Sequence, residues 1–527
     1  MLSGAVQFLI QGYRTHAAKR GTDGTVVTIH VDEIASKIAK VYEQIRNVVD
    51  YREEHLLRKN SIFRALQRHL VIRKEKENVA DALVREIIRS GHLPNDAIPE
   101  EKIADVDRLI SNLLFLLERL PHTAPDAGRG LSEWLLRITA SAIEENLDPP
   151  VKDRLAAETM FTALRDHIVI KGKEMNDTDK AVQLFIGIER ALLRVDDDQL
   201  AWRLLRFLYP AWENPTPEEL AFFSEELLKI KKAIDDHRAH PLGSIFFKFC
   251  NRYNTVFLLL NDAIFEEKNF LRGPEELFQD GKNLAMAVNE AYRNRYLRQK
   301  RRLRRLAFFT IISLFITKVA VALAVEIPID VYVTRDYSLA NTAFNIAFPP
   351  FLMLVILALI RLPSKRNLAL VHEETRAVAF EEYRKEYLIV IPEEKSQRVR
   401  RLVRAVYVVI SLAVLYGVLK LLSFIDFSIA STIVFILFTS IVAATGVRVH
   451  NRSKELSLEE DKPSFLSFLG DLLFMPFVTM GQLAIRGLGH FKHLVILVNL
   501  IEAPLQVFLT FVENLNIFIR SKKDELH

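Results

Sequence analysis

The chain has 527 residues, half of them hydrophobic and 26% charged, with a formal net charge of +5. That length holds two or three domains, and so much of both residue classes excludes an ordinary soluble body unless the two are segregated. They are segregated, with charge crowded before residue 300 and long apolar runs after it. The single cysteine, Cys250, excludes an intramolecular disulfide framework and a cysteine-based zinc site, and suits a reducing compartment.

Residues 1–27 read as a flexible N-terminal lead. The apolar part, Gly4–Ile10, is short, is interrupted by Gln7 and follows no basic segment, so it makes a poor secretory signal. Residues 28–300 read as a cytoplasmic helical domain. Val31, Ile34, Ile38, Val41, Ile45 and Val48 alternate spacings of three and four, which lays one apolar stripe along a helix. Further helices are predicted over 78–90, 100–120, 130–146, 151–170, 177–194, 197–209, 217–236, 242–268 and 274–300, separated by breakers such as Pro149-Pro150 and Gly273-Pro274. Trp134, Trp202 and Trp212 are expected in the core. Phe63–Arg73 and Phe161–Lys171 coincide at Phe, Ala, Leu, His, Val and Ile with a constant offset of 98 residues. The echo suggests a duplicated helical module with halves near 30–125 and 130–236, against the alternative of chance similarity between two amphipathic helices. His69 and His167 are then matching structural positions.

Residues 301–447 read as a four-helix transmembrane region. A span needs about 20 mostly apolar residues, and the stretches near 306–325, 342–360, 405–422 and 428–447 meet that need. Arg298, Lys300, Arg301, Arg302, Arg304 and Arg305 stand directly before the first and read as its anchor to anionic lipid head groups. From Ala291 to Val325 the chain has no acid, so the last soluble helix is expected to run straight into the bilayer. Loop 361–404 is rich in Lys and Arg, whereas Glu326–Asn341 has only Arg335 and Ser423–Phe427 has none. That alternation places the N-terminal domain, the long loop and the tail on the cytoplasmic side of two membrane hairpins. Within loop 361–404 a charged amphipathic helix is expected, either solvated or docked on the N-terminal bundle. Pro349-Pro350 is expected near the start of the second span, where a missing N–H is tolerated.

Lys318 and Lys420 fall within spans, and an ionisable residue there raises a functional question by default. The competing reading is that each snorkels outward or pairs with Glu326 or Asp426. Residues 448–527 read as an amphipathic interfacial tail, with its first helical stretch broken at Pro476 and Gly481. Glu502, Pro504 and Glu513 favour interfacial or re-entrant helices over a fifth span at 494–519.

No catalytic constellation emerges. His237 and His240 lie three apart beside Asp235 and Asp236, and His490 and His493 repeat the spacing, but neither pair has an evident third metal ligand. Asp196, Asp197 and Asp198 suit the N-terminus of a helix, where the dipole favours carboxylates. The expected fold is all-α: a multi-helix bundle, two membrane hairpins and an amphipathic tail. The expected location is a bacterial cytoplasmic membrane with both termini cytoplasmic. No cofactor, metal or nucleic acid is implied. The expected function is that of a non-enzymatic adaptor or assembly factor, with a protein partner or self-association through the helical domain. The alternative is a transporter or channel subunit that works as an oligomer.

Overall fold

A computed structural model of the chain describes residues 1–21, 27–31, 54–73, 78–120, 125–172, 174–266, 274–334, 338–359, 365–391, 396–453, 456–458 and 465–490. The fold is all-α, with one two-stranded parallel sheet among the described residues. It divides into two compact units, Met1–Ala291 with Val371–Pro392, and Tyr292–Leu370 with Glu393–His527.

Unit 1 begins with α1 (Gly4–Gly21), α2 (Glu54–Leu66), α3 (Val79–Arg89), α4 (Glu101–Glu118), α5 (Pro125–Leu147) and α6 (Val151–Leu164). Strand β1 (Ile168–Lys171) follows, then α7 (Asp177–Ile188), α8 (Asp197–Leu208), α9 (Pro217–Arg238), α10 (Gly243–Ile264) and the short α11 (Glu275–Gln279). Local chemistry sets the helix starts. Asp196 caps α8 by accepting from the Gln199 N–H at 3.0 Å, as its place in an acidic triplet suggests. Thr216 and Glu219 form a reciprocal capping box at α9, with Pro217 just inside. The core is aliphatic: Leu83, Val84, Ile87 and Ile88 of α3 and Val106, Ile110 and Leu113 of α4 are buried. Each large apolar side chain withdrawn from water contributes about 1.5–3 kcal/mol. Trp134, Trp202 and Trp212 are buried as expected.

Three expectations for this unit need correction or limits. Residues 4–21 are no flexible lead. Val6, Leu9, Ile10 and Tyr13 lie on one helical face and are buried, and Ser3 ties the end down by donating from its N–H to the Ala379 carbonyl at 2.9 Å and from Oγ to the Val378 carbonyl at 2.6 Å. The helix predicted over 151–170 stops at Leu164, because the β-branched run Ile168-Val169-Ile170 pairs as strand. The two copies of the echo therefore differ at their ends, since Gln67–Ile72 is a π-helical turn. Of the predicted stripe only Val31 is described, and it is buried; the rest lies outside the described residues.

The partner of β1 is β2 (Tyr387–Val390), in parallel register from Ile168 opposite Tyr387 to Lys171 opposite Val390. Thus residues 371–392 of the long loop belong to unit 1, which is the docked alternative for that loop.

In unit 2, α12 (Gly281–Val321) supplies its residues from Tyr292 onward and passes into π-helical turns Ala322–Glu326 and Ile329–Thr334. Pro328 lies between them; it brings no N–H and its ring crowds the carbonyl four residues back, which explains the departure from α geometry. Helix α13 (Leu339–Leu359) holds Pro349 and Pro350 well inside rather than near its start. Helix α14 (Lys365–Ala379) begins in unit 2, and α15 (Gln397–Phe424), α16 (Ile429–Ser453) and α17 (Phe465–His490) complete it. Four helices, Gly281–Val333, Leu339–Ala358, Gln397–Phe424 and Ile429–Val447, are long and apolar enough to cross a membrane. Three of them, α12, α13 and α16, share an interior of Leu352, Met353, Val442 and Val449, with Leu303, Ile311 and Phe348 against it. Asn367 is fully buried, accepting from the Leu458 N–H and donating to the Leu456 carbonyl, each at 2.6 Å.

Helix α17 runs unbroken through Pro476 and Gly481, where the sequence suggested breaks. It packs along α16, and Gly481 lies so close to the Ser440 carbonyl that a Cβ there would overlap it. Gly470, in the same helix, has open space around it. Gly481→Ala is expected to lower the stability of the detergent-purified chain by about 1–3 kcal/mol through overpacking. Gly470→Ala, the matched control, is expected to leave it unchanged or slightly raised; thermal melts of the two variants compare them directly.

Candidate functional site: a buried polar cluster in unit 2

Three segments of unit 2 turn polar side chains inward to one place. Lys318 projects from α12, and its ammonium pairs with Glu326 Oε1 in the π-helical turn that follows. The two side chains are 0% and 1% exposed. The other carboxylate oxygen, Glu326 Oε2, accepts from Asn345 Nδ2 of α13 at 2.5 Å. The same amide donates to the Ser431 carbonyl of α16 at 3.3 Å. Ser431 Oγ in turn donates to Asp330 Oδ2 at 3.1 Å. The Lys318 ammonium also lies 4.9 Å from the ring centroid of Phe438, within the range of a cation–π contact.

The chain builds this arrangement by spacing. Glu326 and Asp330 are four residues apart on a locally widened helix, so both are turned inward. Asn345 stands four residues before Pro349 and Ser431 lies in the first turn of α16. In an apolar surrounding an isolated charge is costly, and a pair is tolerated when hydrogen bonds satisfy its remaining oxygens. The Glu326 carboxylate meets that condition, with an ammonium on one oxygen and an amide on the other. Asn345 Oδ1, by contrast, is buried without a hydrogen-bond partner.

The two lysines singled out by sequence have different settings. Lys318 makes the pairing with Glu326 that was one of its expected options. Lys420 is exposed on α15, its ammonium 5.9 Å from the Tyr416 ring centroid, and among the described residues no ion pair joins it to Asp426. The structure therefore does not bring Lys318 and Lys420 to one site. Arg298, Lys300, Arg301, Arg302, Arg304 and Arg305 all lie in α12, where Arg298, Arg301, Arg304 and Arg305 are exposed and Lys300 is half-buried. Sequence reasoning missed Asn345, Asp330 and Ser431. A signal was present in Asn345, an amide within an apolar run just before a double proline.

Unit 1 holds a second buried network. Arg58 of α2 donates to Glu144 Oε1 at 3.0 Å and pairs with Asp148. Lys59, 1% exposed, pairs with Asp196 and, at 2.9 Å, with Asp198. Arg203 pairs with Glu145 and, at 2.6 Å, with Glu189. Burial is the main cause that pushes Glu144 up to about 7 from 4.5, with Arg58 opposing it. These pairs lock α2, α5 and α8 together. His69 is also structural in form, with Nε2 at 3.2 Å from Glu86 Oε2. Among the described residues no group of three or more His, Cys, Asp or Glu is placed to hold a metal ion.

No protein-family model matches the chain, and no curated protein and no solved structure matches it either.

Two outcomes follow from these geometries. Lys318→Leu and Glu326→Leu are each expected to cost about 3–5 kcal/mol, because each strands a buried charge. The double variant should cost clearly less than the sum, and a double-mutant cycle on melts in detergent measures the coupling. For Glu144, a raised folded-state value means that its stabilising share is complete below about 4.5 and is lost as pH rises through about 7. Glu144→Gln should therefore flatten the fall in stability across that window relative to the parent chain, as read by denaturation at stepped pH.

Proposed function

We propose that this chain is a multi-pass membrane protein whose role is non-enzymatic, an adaptor or assembly factor that holds helical unit 1 at the cytoplasmic face. The observation that carries this reading is the state of Lys318. Its ammonium is wholly buried and committed to Glu326, which suits a clamp between segments better than the wall of an aqueous path. Unit 1 supports the same reading, since its buried charges are paired with one another. The basic residues Arg298, Arg301, Arg304 and Arg305 are exposed on α12 and fit contact with anionic head groups, each such residue near a charged surface contributing about 1 kcal/mol. Basic residues concentrated in α12 ahead of its apolar part and around α14 favour the cytoplasmic placement of unit 1 and of the tail.

A second reading has its own observation. A carboxylate, an ammonium and an amide gathered inside apolar helices form a pattern that also marks solute pathways, and the alternative is therefore an oligomeric transporter or channel subunit. Two measurements separate them. Purification in mild detergent is expected to retain one protein partner in fixed ratio, and proteoliposomes of the pure chain are expected to show no solute flux. Flux that Lys318→Leu abolishes would overturn the adaptor reading in favour of transport.

A further inference from the structure

We propose that the buried cluster around Asn345 is a binding site for one partly dehydrated monovalent metal cation, with sodium as its probe. Both N–H groups of the Asn345 amide are committed, one to Glu326 Oε2 at 2.5 Å and one to the Ser431 carbonyl at 3.3 Å. Those two bonds fix the amide plane and its sense, because the reverse orientation would set the amide oxygen against a carboxylate. Oδ1 is thereby held inside the cluster on a residue of 0% exposure, and it has no hydrogen-bond partner.

The backbone adds a second observation, independent of the first. In a regular helix the Asn345 and Ile346 carbonyls would accept from the N–H groups of residues 349 and 350. Both of those residues are proline, well within α13, and neither has an N–H to give. The segment that carries the unpartnered side-chain oxygen thus also carries two consecutive carbonyls deprived of their helical donors. Backbone oxygens released in this way inside apolar helices are ligands for small cations. The acidic neighbours lie on the facing side, where Glu326 and Asp330 stand on π-helical turns and are both buried.

The donor set selects the class of ion. Hard oxygens, amide and carbonyl, suit an alkali or alkaline-earth cation and not a soft transition metal. Neutral oxygens predominate, and the Lys318 ammonium already stands on Glu326 Oε1. A divalent ion would meet that repulsion twice over, so a monovalent one fits. The ammonium and the amide occupy opposite oxygens of Glu326, which leaves the ion on the Asn345 side without displacing Lys318. Binding of this kind goes beyond either functional reading above, because it needs neither a partner protein nor flux.

Equilibrium binding of radioactive sodium to the purified full-length chain in nanodiscs tests the proposal, with choline chloride holding ionic strength constant. The expected result is saturable binding of one sodium per chain and a thermal melt that rises with sodium but not with choline. Asn345→Leu should weaken binding by about tenfold or more. That variant strands the Glu326 oxygen and can lose the fold, so Pro349→Ala gives the second arm. It returns an N–H to the Asn345 carbonyl and touches no side chain of the cluster. It should weaken sodium binding about tenfold while leaving the melt in choline unchanged or higher, an outcome that a purely structural proline would not give. A parent chain without saturable sodium binding, or Pro349→Ala with parental affinity, overturns the proposal.

Discussion

A polar atom inside an apolar helical unit has no water to fall back on, and that constraint explains how unit 2 is put together. Lys318 on α12 can be buried only because Glu326 returns to it from the next turns. Glu326 can be buried only because Asn345 of α13 satisfies its other oxygen. Asn345 in turn reaches the Ser431 carbonyl of α16, and Ser431 reaches Asp330. Each bond recruits the next segment, so α12 with its π-helical turns, α13 and the distant α16 are joined by one short run of contacts. Apolar packing among Leu352, Met353 and Val442 would hold these helices together, but it is less demanding of register. The polar cluster admits one register, since a slide of a single residue would leave a charge unmatched.

Unit 1 solves a related problem with different means. Lys59, Arg58 and Arg203 are buried in a helical core, and each meets two carboxylates. Doubling the acids spreads the burden of desolvation and leaves Glu144 shifted towards its neutral form. The contrast lies in composition. Unit 1 draws on a chain dense in Arg, Asp and Glu and has redundancy, whereas the buried cluster of unit 2 holds one ammonium, and an amide and a hydroxyl complete the shells of its carboxylates.

The sequence was most legible where one physical rule acts alone. Span positions follow from length and hydropathy, and the four stretches read from sequence lie within or close to the four helices long and apolar enough to cross a membrane. Helix starts at Asp197 and Pro217 follow from local caps. The sequence was least legible where a distant segment decides. Ile168–Lys171 has a helical neighbourhood, and it becomes strand because Tyr387–Val390 offers it a ladder. Residues 4–21 have a weak local signal and owe their place to the burial of Val6, Leu9 and Tyr13. Lys318 was visible as a charge in a span and Glu326 as its partner. Asn345 was overlooked, because its signal, an amide ahead of a double proline in an apolar run, names no partner.

Proline was the most misleading residue type, for one consistent reason. Pro476 suggested a break in the tail, Pro349-Pro350 suggested a helix start, and each lies inside a continuous helix. In water a proline in a helix interior costs about 3 kcal/mol or more, and a reader weights it as a stop. Inside a packed apolar bundle the neighbours hold the helix on both sides, and the lost hydrogen bond is offset by close contact. Gly481 meets Ser440 and Gly446 meets Ile356 where these helices pack, and Thr479 Oγ donates to the Met475 carbonyl at 2.9 Å in the turn containing Pro476. What proline does alter is the polarity of the helix surface, since each one leaves a carbonyl without its usual donor. On α17 that happens beside a hydroxyl-bearing turn, and on α13 it happens at Asn345, where the polar cluster is built. The prolines of unit 2 are therefore better read as markers of where polar atoms become available than as the ends of helices.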